Sequence, residues 1–352
     1  MADAARKAFV VTVVAVGVVV FALALWKLKV LVALLFLAFT VAAAMRPGIE
    51  WLAQRRVPRP VGVLIHYVVL AVAVGLLLWL AVPRAISQVD QAVQSVPAQR
   101  AQLGDAARHS TGIRHDILVG LQNRLSKLPR ASTLVRPALH ITVTAFEILI
   151  GVFFVLAAAA YWIFERDHAM DYICCLLPRD KRKTVQDTWF LIDLKLGSYV
   201  RGQGLLILVV GTILSLAFWA IGEPYWLLLG AFAGIVEVVP VIGPIVAGVL
   251  AVGVGLTESW GVGIGAGIVV LVQRQLEDYL IAPRILGGAV GLSPLLVIVS
   301  VFATGILWAP AVVFAIPMVA VLTTLVDVAV LNRDPSKEDV PTVLFPAKEA
   351  ES

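Results

Sequence analysis

Residues Trp226–Glu258 read WLLLGAFAGIVEVVPVIGPIVAGVLAVGVGLTE. From Trp226 to Thr257 the only charged residue is Glu237. About 20 apolar residues are enough to cross the hydrocarbon core of a bilayer, and this run exceeds that. It is not an uninterrupted span, because Pro240, Gly243 and Pro244 break the helical backbone within it. A break at membrane depth leaves N–H and C=O groups that lipid cannot satisfy, so it survives only where protein or a water-filled cavity covers it. Transporters use such broken helices to surround a solute with helix ends. Glu237 lies three residues before Pro240, and a carboxylate at this depth is costly and by default functional.

The rest of the chain fits that setting. Of 352 residues, 60% are hydrophobic and 14% are charged, where a soluble domain carries roughly 25% charged residues. Folded soluble proteins need a polar exterior that this composition cannot supply. A cytosolic enzyme, a secreted domain and a disordered chain are excluded. The expected fold is all-α and polytopic, with about eight transmembrane helices. The formal net charge of +5 suits an anionic inner leaflet. Basic residues without interleaved aromatics give no nucleic-acid surface.

Outward from the broken run, the sequence divides into blocks. Residues 1–82 hold three N-terminal spans, the first two joined by Trp26-Lys27-Leu28-Lys29 as a tight hairpin. Residues 83–140 are polar, with Ile86, Val89, Val93 and Val96, then Leu118, Leu121, Leu125 and Leu128, at helical spacing; they read as a small helical extramembrane segment. A fourth span covers 141–164. Residues 165–201 are basic, with a stripe of Trp189, Ile192, Leu196 and Tyr199 that suits cytoplasmic or interfacial amphipathic helices. Residues 202–331 form a Gly/Pro-rich transport core of four interrupted spans, and 332–352 a cytoplasmic tail. Lys and Arg in the short connections place both termini in the cytoplasm.

A second polar cluster, Gln273-Arg274-Gln275-Leu276-Glu277-Asp278, follows the core glycines. On a helix, Arg274 reaches Glu277 and Asp278 at i+3 and i+4. Arg284, after Pro283, is a further candidate counter-ion for Glu237, Glu277 or Asp278. A pathway lined by Glu237, Gln203, Gln273, Gln275, Glu277, Asp278 and Arg284 around the Pro240–Gly243–Pro244 break is one reading. A structural salt bridge with headgroup-level charges is the other. Gly261, Gly263, Gly265 and Gly267 suit close helix packing. No P-loop motif is present, the histidines lack metal-ligand spacing, and Cys174-Cys175 is no redox or metal pair; no metal or cofactor is expected.

Tyr199-Val-Arg-Gly202-Gln203, the Gly234–Pro244 block, Gln275-Leu-Glu277-Asp-Tyr-Leu-Ile-Ala-Pro283-Arg-Ile and Leu292-Ser-Pro294 together resemble the AI-2E (autoinducer-2 exporter) family of bacterial membrane proteins. The layout of three spans, a loop segment, a fourth span and a glycine-rich block is similar to that family too. Where the family usually has a glycine-rich turn in its last hairpin, this chain has Gly305-Ile-Leu-Trp308-Ala-Pro310. The resemblance implies an inner-membrane solute exporter, in some members linked to autoinducer-2 and quorum sensing and in others to sodium(lithium)/proton antiport. It also implies a homo-oligomer, with a pentamer among the assemblies expected.

The expected function is therefore an ion-gradient-driven secondary transporter rather than an enzyme, taking a small-molecule or cation substrate within a lipid bilayer. Antiport is the first alternative. A membrane-embedded phosphatase holding a lipid-linked phosphate with Arg274 and Arg284 ranks below it, for want of a nucleophile. A non-transporting scaffold would leave the broken spans without a purpose.

Overall fold

A computed structural model describes residues 2–76, 135–286, 291–338 and 340, with isolated positions at 79, 83 and 87. The helical segment expected over 83–140 therefore lies almost wholly outside the described residues. All regular structure among those described is helical. Five helices are long and apolar enough to cross a membrane, and shorter apolar helices accompany them.

α1 (Ala2–Lys27) and α2 (Lys29–Gln54) meet at Leu28, where Leu28 N–H donates to the Ala24 carbonyl and Val32 N–H to the Leu28 carbonyl, both at 2.9 Å. One residue at φ −91° and ψ 12° kinks the helical path without reversing it, so the tight hairpin expected from the sequence is not formed there. α3 (Arg59–Leu76) returns along α2, with Gly62 against Ile49 and Gly48 against His66. α4 (Val135–Cys175) and α5 (Arg179–Ala220) have 41 and 42 residues. At 1.5 Å per residue each is about 60 Å long, twice the hydrocarbon thickness. The polar block 165–201 is accordingly the end of one long helix and the start of the next. Helical hydrogen bonds do not depend on apolar side chains, so the change of composition at Glu165 ends no helix.

Buried charges brace these polar halves. Asp193 on α5 accepts from Arg166 Nε of α4 at 2.7 Å and from an Arg46 guanidinium nitrogen of α2 at 3.1 Å. Phe39, Trp162 and Trp189 pack beside them with ring centroids 5.5–6.0 Å apart. Ile192, Leu196 and Tyr199 of the amphipathic stripe are buried, the first two against Ala43 of α2.

The apolar half of α5 forms a four-helix core with α6 (Trp226–Val236), α7 (Ile242–Glu258) and α8 (Trp260–Leu276). Leu206, Val210, Leu214 and Phe218 of α5 bury against Leu229, Ala233, Ala247, Ala251 and Ala266. Helices associate in lipid mainly by close packing, and glycine supplies it. A Cβ on Gly234 would lie 2.8 Å from Gly211 Cα of α5, and one on Gly255 would lie 2.9 Å from Gly263 Cα of α8. α9 (Pro294–Leu307), a 3₁₀ turn over Ala309–Phe314 and α10 (Ala315–Ala329) complete the bundle. α10 reaches α5 through Thr324, whose hydroxyl accepts from buried Lys195 at 3.1 Å.

Candidate functional site

The break between α6 and α7 is built around Val241. Its φ of +69° and ψ of −54°, with Ile242 N–H donating to Pro240 O at 2.8 Å, define a γ-turn, a strained conformation for a β-branched residue. Strain of this kind persists only where its surroundings fix it. They do so here: Gly243 lies so close to the Val236 carbonyl that no side chain fits between them. Pro240 and Pro244 flank the turn, each half-buried.

Glu237 caps the C-terminus of α6, and its carbonyl would lack a partner at that helix end. Gln203 of α5, itself buried, donates its side-chain amide to that carbonyl at 3.1 Å. One residue away, Gly202 admits Leu286 and the Ile285 carbonyl, 2.8 and 3.2 Å from where a Cβ would stand. Arg201 donates to the Ala44 carbonyl of α2 at 3.0 Å. The Tyr199–Gln203 motif therefore joins three elements at the break.

The second sequence cluster meets the first here. Arg274 lies 3.5 Å from Glu237 Oε1, 3.3 Å from Glu277 Oε1 and 2.9 Å from Asp278 Oδ1. Gln273 donates to the other oxygen of Glu277 at 2.9 Å. After Leu276 the helix widens into a π-turn, Glu277–Ile281, before a last α-turn, Ala282–Ile285. Pro283 has no N–H to continue the α pattern, and π-turns of this kind recur at functional sites. Glu237, Gln273 and Glu277 are buried, whereas Asp278 is exposed.

Of the residues expected from the sequence, Glu237, Gln203, Gln273, Glu277 and Asp278 come together at the Pro240–Gly243–Pro244 break. Gln275 and Arg284 are exposed and outside the hydrogen-bonded cluster. Gln275 sits two residues from both Gln273 and Glu277, on another face of the helix. Arg284 follows the π-turn, in the last α-turn. Arg274 takes the counter-ion role, a residue whose i+3 and i+4 partners were legible but whose reach to Glu237 was not. One guanidinium faces three carboxylates, so the cluster carries formal negative charge in excess. Beside it, an apolar groove of about 700 Å³ runs between α7 and α8 from Val241 and Pro244 past Gly248 and Gly267 to Arg274.

A family model described as AI-2E family transporter matches residues 15–331. The chain belongs to the AI-2E transporter family. It is 25% identical over 297 residues to "Putative transport protein YrrI" of Bacillus subtilis (strain 168), covering 83% of this chain and 84% of that protein. It is 27% identical over 318 residues to "Putative transport protein MT0215" of Mycobacterium tuberculosis (strain CDC 1551 / Oshkosh), covering 86% and 84%. "Putative permease PerM" of Escherichia coli (strain K12) is 26% identical over 278 residues, covering 74% and 77%. As an AI-2E family member the chain is a multi-pass membrane protein of a transport family, and the polar cluster at the α6–α7 break lies within the matched region.

Proposed function

We propose that this AI-2E family protein is a secondary active exporter of a small solute, autoinducer-2-like in its polarity, driven by an ion gradient. The observation that carries the reading is the imbalance at the break, with Glu237, Glu277 and Asp278 sharing Arg274 as their one cation among the described residues. Carboxylates this close repel one another, and a bound proton or small cation relieves that repulsion. Binding and release of that ion would loosen or tighten the grip of Arg274 on Glu237, and thereby the joint between α6 and α7. Gln203 and Gln273 add neutral hydrogen-bonding groups, which suit a polyhydroxylated solute better than an anion.

Sodium(lithium)/proton antiport is the second reading, favoured by the same excess of carboxylates. In either case we place the protein in the bacterial inner membrane with both termini cytoplasmic, working as a homo-oligomer. Proteoliposomes with a trapped pH dye separate the readings. Proton movement on adding sodium or lithium, lost in Glu237→Gln, makes the protein an antiporter. Movement only on adding a small neutral polyol makes it a solute exporter. A Glu237→Gln variant that folds and transports at the wild-type rate removes Glu237 from the mechanism.

A further inference from the structure

We propose that the Glu223 carboxyl is a proton-binding site at the end of the four-helix core opposite Glu237, seated as the neutral acid against the crossing of α7 and α8. The turn after α5 fixes it there. Gly222, at φ +73°, donates to the Trp219 carbonyl at 3.1 Å, and Glu223 N–H donates to the Phe218 carbonyl at 2.9 Å. These two bonds define a Schellman motif, in which the residue at the Glu223 position usually makes an apolar contact back to the helix. Here that position carries a carboxylic acid. It is 2% exposed, and among the described residues neither side-chain oxygen has a hydrogen-bond partner.

The carboxyl is aimed into the helix crossing. Its Oε2 lies 2.6 Å from where a Cβ on Gly255 would stand, beside the point where Gly255 meets Gly263. No cation of the core is available to it, because between Arg201 and Arg274 the sequence has no Lys, Arg or His. Among the described residues of the four core helices and their turns, the other titratable groups at this end are Glu258, at the C-terminus of α7, and Tyr225, the residue before α6. The facing stretches Leu214–Ala220 of α5, Trp226–Val236 of α6 and Trp260–Val272 of α8 carry no charge. An ionised carboxylate in such a place forfeits its hydration without compensation. A bound proton removes that cost and changes no other bond.

Burial, followed by the nearby Glu258 charge, pushes the Glu223 carboxyl up to about 7. Its folded-state affinity for the proton thus exceeds that of the unfolded chain. Between about pH 4.5 and about pH 7 the folded form holds more protons, so stability rises as pH falls through this window and is lost above it. Release of the proton drives Glu223 toward water beside Glu258 and loosens the α7–α8 crossing. Glu223 is separated from the Glu237 cluster by the apolar length of α5, about 27 Å from Gln203 to Ile221, and the proposal stands whether or not Glu237 couples transport.

The test is thermal melting of the full-length protein in detergent between about pH 8 and about pH 5, with infrared detection of protonated carboxyl. Wild type should melt several degrees higher at the acid end. Glu223→Gln, which mimics the neutral acid, should match or exceed wild type at the alkaline end, with the two curves converging on acidification. It should also lack one carboxyl band that titrates near neutrality. Glu258→Gln should shift the midpoint of that titration downward. Parallel melting curves for wild type and Glu223→Gln, or a carboxyl band that survives the substitution, overturn the proposal. Should Glu223→Gln fail to fold, an unshifted midpoint in Glu258→Gln does so alone.

Discussion

Arg274 is half-buried and meets Glu237, Glu277 and Asp278 within 3.5 Å, so Arg274→Ala leaves two buried carboxylates without their cation. Breaking a buried pair from one side costs about 3 kcal/mol or more. Arg274→Ala should therefore lower the melting temperature sharply, and adding Glu237→Gln and Glu277→Gln should recover much of the loss. Val241→Gly should act in the other direction, relieving a left-handed β-branched residue and stabilising the protein by about 1 kcal/mol, measured by the same melts. Part of this chemistry could be read without coordinates: Arg274 and its partners at i+3 and i+4 follow from helix phase alone. The same phase separates Gln275 from Gln273. What the sequence could not show was the 37-residue link from Arg274 to Glu237. Asp193, Lys195 and Glu223 also escaped it, because a single charge in a polar stretch or turn looks like solvated surface until its neighbours are known.

At the level of helices, the glycine-rich block was legible as close packing, but the function of each glycine was not. Gly234 faces Gly211 across the α5–α6 contact, whereas Gly253 in α7 has open space around it. Gly234→Leu should force the two helices apart and abolish recovery of folded protein in size-exclusion chromatography. Gly253→Ala should be tolerated and add about 0.5–1 kcal/mol through helix propensity. Opposite outcomes for one residue type within one block would confirm that backbone approach, rather than composition, sets the need for glycine. The break at Pro240–Pro244 was visible because proline and glycine interrupt an apolar run. The π-turn at Glu277–Ile281 was not, since its local cause is Pro283, and a proline is equally compatible with the plain end of a helix.

At the scale of the whole molecule, apolar runs pointed to membrane-spanning helices, and five helices among the described residues are long and apolar enough to cross a membrane. The sequence showed 332–352 only as a charged tail; the first residues of that tail return to the bundle. Buried Lys195 bonds Glu338 at 2.6 Å as well as Thr324, and Pro335 and Val340 are buried. Glu338→Ala should destabilise the protein by about 1–2 kcal/mol, with the half-exposed partner discounted. Glu338→Gln should restore part of the loss, and melting curves report both.

The apolar core between Glu223 and the Glu237 cluster has an electrical consequence. A layer about 27 Å thick that carries no fixed charge behaves like the dielectric of a capacitor, so most of a membrane voltage drops across it. Moving one elementary charge from one end to the other is then worth about 2.3 kcal/mol per 100 mV. Any ion that travels the length of this core without a compensating partner does electrical work as well as chemical work, and its passage should register as current.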